Sequence, residues 1–333
     1  MKTKRLRIVL SCLSFIFLIG VLPSRGICAE RVVMNWASML PKTSSETIDF
    51  QKMFIDRVNE KAKGELVINY RGGPEVIGQF DLGPAVQKGV VDLAFVSVGF
   101  YEALAPGIGA AMLTQLTPQE ERKPGGAYYY LDEIHNKGGL KYVGRAAPSR
   151  EPFFFTFLNK KVTTQKDFVG LRIGCATAAR PAAQAWGASV SPVKISEYYS
   201  AMERNLVDSI AGCPLEVWVS LAAHEVTKYV IDHPYYKSTA VTIMNLNSWN
   251  KLPKNLQNLL IEAKAEFEKD IIPMNEKRRG EARQKMINAK IEFYKLSPPV
   301  ADWFISTAYK AAWDYQQSRF PEVTAKLREL LTK

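Results

Sequence analysis

The side chains that could bind a small molecule follow the predicted strands of this chain. Trp36 ends a first predicted strand, and Phe100 and Tyr101 follow a third. Phe154 lies in an apolar run that is typical of a buried strand. Aromatic rings at such places could form the apolar walls of a binding site, although each ring taken alone is more often part of a core.

Three arginines supply the chemistry that a carboxylate needs. Arg150, Arg172 and Arg180 are close in sequence to predicted strand ends, and the planar guanidinium group pairs with a carboxylate through two hydrogen bonds. The sequence does not choose among them, and each would also fit an ordinary surface. Glu75, in a glycine-rich loop, and Trp218, in a predicted helix, complete the candidate binding residues.

Catalytic and metal chemistry is not indicated. The three histidines, His135, His224 and His233, lack the spacing of metal ligands. There is no Gly-x-Ser-x-Gly motif, and Gly72-Gly73 lacks the Lys-Ser/Thr of a phosphate-binding loop. We therefore predict no catalytic residue, no metal and no cofactor.

The stretch 167–214 predicts a β-α-β-α-β unit. Its strands are predicted at 170–174, 190–193 and 207–213. Pro181 fits the first turn of the helix after the first strand, and Ser196 is predicted to cap the next helix. Such units form parallel sheets that bind ligands at their strand ends. Gly174 and Cys213 end two of these strands, so we add them to the candidate binding residues.

An earlier part of the chain repeats this alternation. Strands are predicted at 32–36, 66–70 and 93–97, with helices at 47–63 and 80–88. Later segments predict a strand at 140–145, a buried crossover strand at 151–159 and a strand at 240–246 that returns to the first lobe. The predicted fold class is α/β, with two doubly wound sheets, a cleft between two lobes and long connecting helices.

Helices dominate the rest of the chain. A helix is predicted at 215–231, and another begins near 254 and should kink or break at Pro273. The charged run 276–290 is typical of a solvated helical surface. We predict residues 30–151 with about 239–280 as lobe I, and 152–238 with about 281–333 as lobe II and closing helices.

The amino terminus predicts export. Basic residues precede an apolar run at 8–22, and Ile27-Cys28-Ala29 is an acceptable cleavage site, so the signal peptide is predicted as residues 1–29. A lipid anchor on Cys28 and a retained anchor helix are the weaker alternatives. Cleavage lowers the net charge from +11 to +6, because residues 1–29 hold five basic residues and no acidic one. The remaining basic residues are dispersed, so we predict no nucleic-acid partner.

Two cysteines remain after cleavage. Cys175 and Cys213 end two strands of the same predicted unit, which should place them near each other at the edge of the cleft. They are either two buried thiols or a disulfide, which an oxidising compartment would permit. The spacing does not decide between these.

Several ordered motifs resemble one family. The runs GGPEVI, GLRIG, GASVSPVKISEYYSAMERNLVD and NLNSWNKLP are similar to segments of the dicarboxylate-receptor-like solute receptors of tripartite ATP-independent periplasmic (TRAP) transporters. The likeness covers most of residues 31–270. It implies a periplasmic receptor, here expected to be a monomer, that binds a small organic acid and delivers it to membrane permease subunits. An exported enzyme or a chemoreceptor-linked sensor on the same scaffold is the alternative.

One departure from the family bears on the ligand. The arginine that usually binds the substrate carboxylate in these receptors falls on Gly174, and Phe154 falls on a position that is arginine in some of them. Either the ligand has no carboxylate, or another cation binds it. Loss of two cations with gain of aromatic surface predicts an aromatic or hydrophobic monocarboxylate that Arg150 or Arg172 would meet.

Overall fold

The computed structural model describes residues 31–333, and the predicted signal peptide with its cleavage site after Ala29 lies outside them. The described strands are β1 Val32–Ser38, β2 Leu66–Gly72, β3 Leu93–Ser97, β4 Leu140–Arg145, β5 Phe154–Leu158, β6 Arg172–Cys175, β7 Ser189–Pro192, β8 Ser209–Cys213, β9 Tyr229–Tyr235, β10 Ala240–Asn245 and β11 Glu292–Tyr294. They form two sheets.

Helices cover both sheets. They are α1 Ser45–Asp49, α2 Asp56–Lys61, α3 Leu82–Gln87, α4 Pro118–Glu121, α5 Ala127–Lys137, α6 Arg180–Ala185, α7 Tyr198–Glu203, α8 Leu215–Ser220, α9 Leu246–Lys251, α10 Lys254–Asn288, α11 Pro298–Arg319 and α12 Pro321–Leu331. A π-helical segment, Phe50–Ile55, joins α1 to α2. The predicted α/β class is confirmed.

The first sheet has the strand order β2-β1-β3-β10-β4. β1 pairs in parallel with β2 and with β3, as expected of strands that are joined through helices. β10 runs antiparallel between β3 and β4. The chain therefore returns to this sheet late in the sequence, as predicted for residues 240–246.

The second sheet has the strand order β11-β9-β5-β8-β6-β7. β6 pairs in parallel with β7 and β8, so the β-α-β-α-β unit predicted for 167–214 is confirmed. β5 runs antiparallel between β8 and β9. Every residue of β5 is buried, which agrees with the apolar run that predicted this strand.

The long helix α10 spans both lobes. Its first half packs Leu260 and Phe267 into the core behind the first sheet, and its second half packs Ala282 and Met286 into a core of the second lobe. Between Ile272 and Ala282 no residue of the helix is buried. The polar middle of α10 therefore crosses from one lobe to the other.

Three local predictions were wrong. The helix predicted at 215–231 ends at Ser220, and β9 begins at Tyr229, because aromatic and β-branched residues favour a strand where the sheet offers an edge. Ser196 lies in a short 3-10 turn, and Glu197 precedes α7 without a capping side-chain hydrogen bond. The break that was one alternative at Pro273 does not occur, because α10 continues through this exposed residue, where water can satisfy the carbonyl group that loses its partner.

The closing helices contact both lobes. α11 packs against α6 and β9 of the second lobe, and α12 packs against α5, which precedes β4 of the first sheet. The residue ranges predicted for the two lobes remain a prediction. No helix within residues 31–333 is long and apolar enough to cross a membrane.

Candidate functional site

A cleft lies between the two sheets, where strand ends of both lobes meet. It measures about 1180 Å³, including the part that is open to solvent. Its lining comes from the segments after β1, β3, β6 and β8, from the segments before β5 and β10, and from α8 and α10. Ligands of open α/β sheets bind at such strand ends.

Aromatic and small apolar side chains form much of the wall. Phe100 lines the cleft and packs edge-on against Phe80, with 4.9 Å between ring centroids. Phe153 and Phe154 also line it and pack against each other at 5.2 Å. These rings offer a flat ligand both stacking and edge contacts.

Arg279, on the polar middle of α10, lines the cleft with an unused donor. Its Nε atom is buried and has no hydrogen-bond partner in the described residues. Its guanidinium lies 4.9 Å from the centroid of the Phe153 ring. Burial lowers the pKa of Arg279, and the carboxylates of Glu216 and Glu276 oppose this effect. The group stays charged, because an arginine ordinarily loses its proton only far above neutral pH.

Glu216, on α8, lines the same cleft and is also unpartnered. Its Oε2 atom is buried and accepts no hydrogen bond within residues 31–333. Burial raises the pKa of Glu216, and the charge of Arg279 opposes the rise. α8 packs against α10, yet Glu216 and Arg279 have no nitrogen–oxygen contact within 4.0 Å. A cation and a carboxyl group thus share the cleft without forming an ion pair.

The neighbouring cation is already paired. Arg278 also lines the cleft, and its Nη1 donates to the carboxylate of Asp49 on α1. Glu46, which likewise lines the cleft, accepts a hydrogen bond from Ser45 Oγ at 3.1 Å. Of these two arginines, Arg279 is the one with a buried donor atom that has no partner in the described residues.

Tyr198 adds a neutral hydroxyl group to the lining. Its oxygen accepts the backbone N–H of Ala176 at 3.2 Å. Burial raises the pKa of Tyr198 well above its usual value, so the hydroxyl keeps its proton at neutral pH. It can donate that proton to a ligand.

Three of the residues predicted from sequence line this cleft, namely Phe100, Phe154 and Cys213. Trp36, Tyr101 and Trp218 are buried elsewhere, each with its polar atom bonded. Trp36 Nε1 donates to Gln51, Tyr101 shares a hydrogen bond with His135, and Trp218 Nε1 donates to Thr227. The structure therefore places these three rings in the cores rather than in the cleft.

The predicted charged residues lie outside the cleft. Arg150 is exposed and lies 3.5 Å from Glu276. Arg172 is exposed and makes two hydrogen bonds to Asp208, at 2.6 and 3.0 Å. Arg180 is exposed, and the exposed Glu75 accepts the backbone N–H of Gly73 at 2.7 Å. None of these side chains lines the cleft.

Gly174 does not open space into the cleft. A Cβ atom built on it would lie 2.7 Å from Ile210, 2.8 Å from Val193 and 3.3 Å from Val207. The missing side chain therefore points into a packed apolar layer, not into the cleft. Because alternate residues of a strand face opposite sides, a Cβ atom at this register faces away from the cleft.

The two cysteines are free thiols and are buried. Cys175 pairs across the sheet with Ala211, two residues before Cys213, and of the two cysteines Cys213 alone lines the cleft. Burial raises the pKa of Cys175 to about 11 and raises that of Cys213 well above its usual value. Both thiols are therefore protonated at neutral pH, and neither is an activated nucleophile.

Sequence reasoning missed the charged groups of the cleft. Arg278 and Arg279 lie in the run that predicted a solvated helical surface, and Glu216 lies in a predicted helix without a distinctive motif. One signal was present in the sequence: residues 275–281 of α10 are polar or glycine, and apolar residues resume at Ala282. A helix with two separate apolar ends can join two cores, and its polar middle then faces whatever lies between them. Residues 31–333 hold no cluster of side chains that could bind a metal.

Comparison with known proteins identifies the family. Residues 36–319 match the profile of bacterial extracellular solute-binding protein, family 7. A monocarboxylate 2-oxoacid-binding periplasmic protein from Nostoc sp. (strain PCC 7120) is 21% identical over 238 residues, which are 69% of this chain and 65% of that protein. The match thus spans slightly less than two thirds of that relative's length.

Solved structures share the fold. A Bordetella pertussis extracytoplasmic solute receptor binding pyroglutamic acid superposes with a TM-score of 0.76 at 17% identity, covering 90% of this chain and 99% of that one. A TRAP periplasmic solute binding protein from Desulfovibrio salexigens with bound orotic acid gives 0.78 at 18% identity, covering 90% and 97%. Because the family match covers most of its length, the chain belongs to family 7 of the bacterial extracellular solute-binding proteins, the periplasmic receptors of TRAP transporters.

Proposed function

We propose that this receptor binds an aromatic or otherwise hydrophobic monocarboxylate in the cleft and delivers it to the membrane permease subunits of a TRAP transporter. The observation that carries the proposal is the unpartnered Nε of Arg279 in a cleft with aromatic walls. A buried polar group without a partner is costly, so a ligand that supplies an acceptor gains affinity. Arg279 takes the role that the sequence suggested for Arg150 or Arg172.

The charges of the cleft favour one carboxylate over two. Arg278 is engaged with Asp49, which leaves Arg279 as the cation for a ligand. A second carboxylate would be desolvated near Glu46 and Glu216 without a partner, at a cost of several kcal/mol. The three similar proteins described above bind 2-oxoacids, pyroglutamic acid and orotic acid, each of which presents a carboxylate on a small body.

Ligand contacts follow from the position of each side chain. Arg279 would bind the carboxylate, and Phe100, Phe153 and Phe154 would enclose the apolar part, with Cys213 at the end of β8. α10 crosses between the lobes, so a ligand held there contacts both of them. Binding would then favour the closed arrangement of the lobes through its higher affinity for that state. The role is that of a binding protein and not of an enzyme.

Calorimetry with matched variants tests the proposal. Arg279→Gln should weaken the binding of a hydrophobic monocarboxylate by about 10- to 100-fold, the effect of removing a charge-assisted hydrogen bond. Arg172→Gln, which removes an exposed arginine outside the cleft, is the control and should leave affinity unchanged. Tight binding of succinate or malate without binding of any hydrophobic monocarboxylate would overturn the proposal, as would equal affinities of the two variants.

The mature form follows from the predicted signal peptide. We propose export, cleavage after Ala29 and a monomeric receptor in the periplasm. Intact mass of protein from the periplasm should match a chain that starts at Glu30, and light scattering should give the mass of one such chain. A chain that keeps residues 1–29, or that carries lipid on Cys28, would contradict the proposed cleavage.

A further inference from the structure

The fixed charges of the cleft do not suit a plain anion. Glu46, Glu216, Arg278 and Arg279 line it, and Asp49 and Glu276 lie beside it. Glu276 is paired with the exposed Arg150 at 3.5 Å. Arg278 and Asp49 neutralise each other through their hydrogen bond. The remaining three groups, when ionised, carry one net negative charge. A ligand with a single carboxylate and no other charge would raise that to two, and unbalanced like charges disfavour binding.

Glu216 is the part of this arrangement that a simple carboxylate site does not need. Its Oε2 is buried, lines the cleft and has no hydrogen-bond partner in residues 31–333. The groups whose charges act on it are Arg279 and Arg278 of α10 and Glu46 of α1. None of them forms an ion pair with it within 4.0 Å. The backbone N–H of Glu216 also acts on its carboxyl group, but a buried oxygen atom that is left without a donor is costly to the unliganded protein.

We propose that Glu216 binds a protonated amine of the ligand, so that the substrate is a zwitterion: an amino acid or similar compound with an apolar body. The inference rests on the proposed function, because it takes the carboxylate to be bound by Arg279 in the same cleft. The gap between Arg279 and Glu216 then receives a carboxylate at one side and an ammonium group at the other. Each unpartnered atom gains a charged partner, and the net charge of the occupied cleft stays at the value of the empty one.

The aromatic walls set the rest of the ligand class. Phe100, Phe153 and Phe154 line the cleft, with the Arg279 guanidinium 4.9 Å from the Phe153 ring, and Ala176 and Ala178 add small apolar side chains to the lining. This lining fits an apolar side chain better than a second ionised group. Phenylalanine and leucine are therefore the two probes that represent the class.

Two series of matched acids test the inference by calorimetry. The first is 3-phenylpropionate, L-phenyllactate and L-phenylalanine, and the second is 4-methylpentanoate, L-2-hydroxy-4-methylpentanoate and L-leucine. In at least one series we expect the amino acid to bind at least tenfold more tightly than the plain acid, with the hydroxy acid between them. Glu216→Gln keeps the shape of the side chain and removes its charge. It should abolish that preference and leave or improve the affinity for the plain acid.

The outcomes separate this inference from the proposed function. Plain acids that bind the wild-type receptor as tightly as the amino acids would overturn the role of Glu216 and leave the monocarboxylate site intact. Equal losses for plain and amino acids in Glu216→Gln, with an unchanged circular dichroism spectrum, would show that Glu216 only shapes the cleft and would also overturn it. Failure of all six probes to bind would overturn the proposed function itself, and the inference with it.

Discussion

Two regions of this receptor bury arginine side chains, and they differ in whether those side chains are paired with a carboxylate. Behind β4, Arg122 makes two hydrogen bonds to Glu268, at 2.6 and 3.1 Å, and Arg145 makes two to Glu121, at 3.0 and 2.8 Å. In the cleft, Arg279 has a buried Nε without a partner among residues 31–333. In the first region each guanidinium group is paired with a carboxylate through two hydrogen bonds, whereas in the second a buried donor atom is left unpaired.

A buried lysine shows that a missing partner is not enough to mark a site. The Nζ of Lys264, on α10, donates no hydrogen bond within residues 31–333 and lies 4.2–4.7 Å from the ring centroids of Phe50, Phe54 and Phe267. Burial lowers the pKa of this lysine well below its usual value. The rings enclose it, and it does not line the cleft. A binding group needs both an unused atom and space in front of that atom.

The largest effect is expected where the fold pairs a buried arginine with a carboxylate. Glu268→Ala removes the acceptor of Arg122 and of the Arg145 backbone N–H, a 2.6 Å hydrogen bond, and leaves a buried cation uncompensated. We expect the free energy of unfolding to fall by about 3–5 kcal/mol in urea denaturation. Glu266→Ala, on the same helix, removes only exposed ion pairs and should cost about 0–1 kcal/mol. If the two variants lost a similar free energy of unfolding, the buried ion pair would be no more important to stability than the exposed ones.

The next effect is a pH dependence of stability, which we expect from the buried and hydrogen-bonded His135. His135 is fully buried, shares a hydrogen bond with Tyr101 at 2.8 Å, and has its pKa lowered by burial to about 4. Below pH 6.5 the unfolded chain takes up a proton at this residue that the folded protein does not. Stability should therefore fall as the pH drops from about 6.5 to 4, by about 3 kcal/mol from this residue.

Urea denaturation at several pH values measures this slope. His135→Gln keeps polar atoms at the site but does not titrate, so the difference between the two proteins isolates the histidine from the carboxylates. His233→Gln is the control, because that ring is only partly buried and its pKa is lowered less far. A wild-type slope equal to that of His135→Gln would mean that the buried ring is protonated in the folded state.

Sequence alone predicted the scaffold well because each layer has a local signal. Apolar runs such as 93–97 and 140–145 match β3 and β4 residue for residue, and the returning strand was found from its position after the second lobe. The cleft was predictable where it is built from strand ends, as at Phe100 and Cys213. Trp36 and Tyr101 follow the same rule in sequence, yet the packing of helices over the sheet turns both into the core.

The charges of the cleft could not be predicted in the same way. Arg279 has the local sequence of an exposed helix, and only the crossing of α10 between two cores brings it to the cleft. Gly174 shows a second reason why sequence alone could not locate the site. Its alignment with a family arginine says nothing about the face of β6 on which it lies, and that face is filled by Ile210 and Val193.

A smaller effect is expected when the unmatched cation is removed. Arg279→Met replaces the guanidinium by an apolar chain of similar length over Phe153. We expect the free energy of unfolding to stay the same or to rise by up to about 1 kcal/mol, because binding residues are often held at a cost to stability. Thermal and urea denaturation without ligand test this. A loss as large as that of Glu268→Ala would mean that Arg279 has a structural partner after all.

The smallest effect is expected from replacing phenylalanine by leucine, once in the wall of the cleft and once in the core. Phe100→Leu removes an aromatic ring from the cleft, and affinity for a phenyl-bearing acid should fall by about 3- to 10-fold, which corresponds to about 0.5–1.5 kcal/mol of aromatic contact. Phe157→Leu removes a ring that is buried and stacked on Trp218, with 4.0 Å between centroids. That change should lower stability and leave affinity as it is. Calorimetry and urea denaturation of both variants give four values, and the contrast holds only if each substitution changes a different one of the two properties. Loss of stability without loss of affinity in Phe100→Leu would move this ring from the binding site into the core.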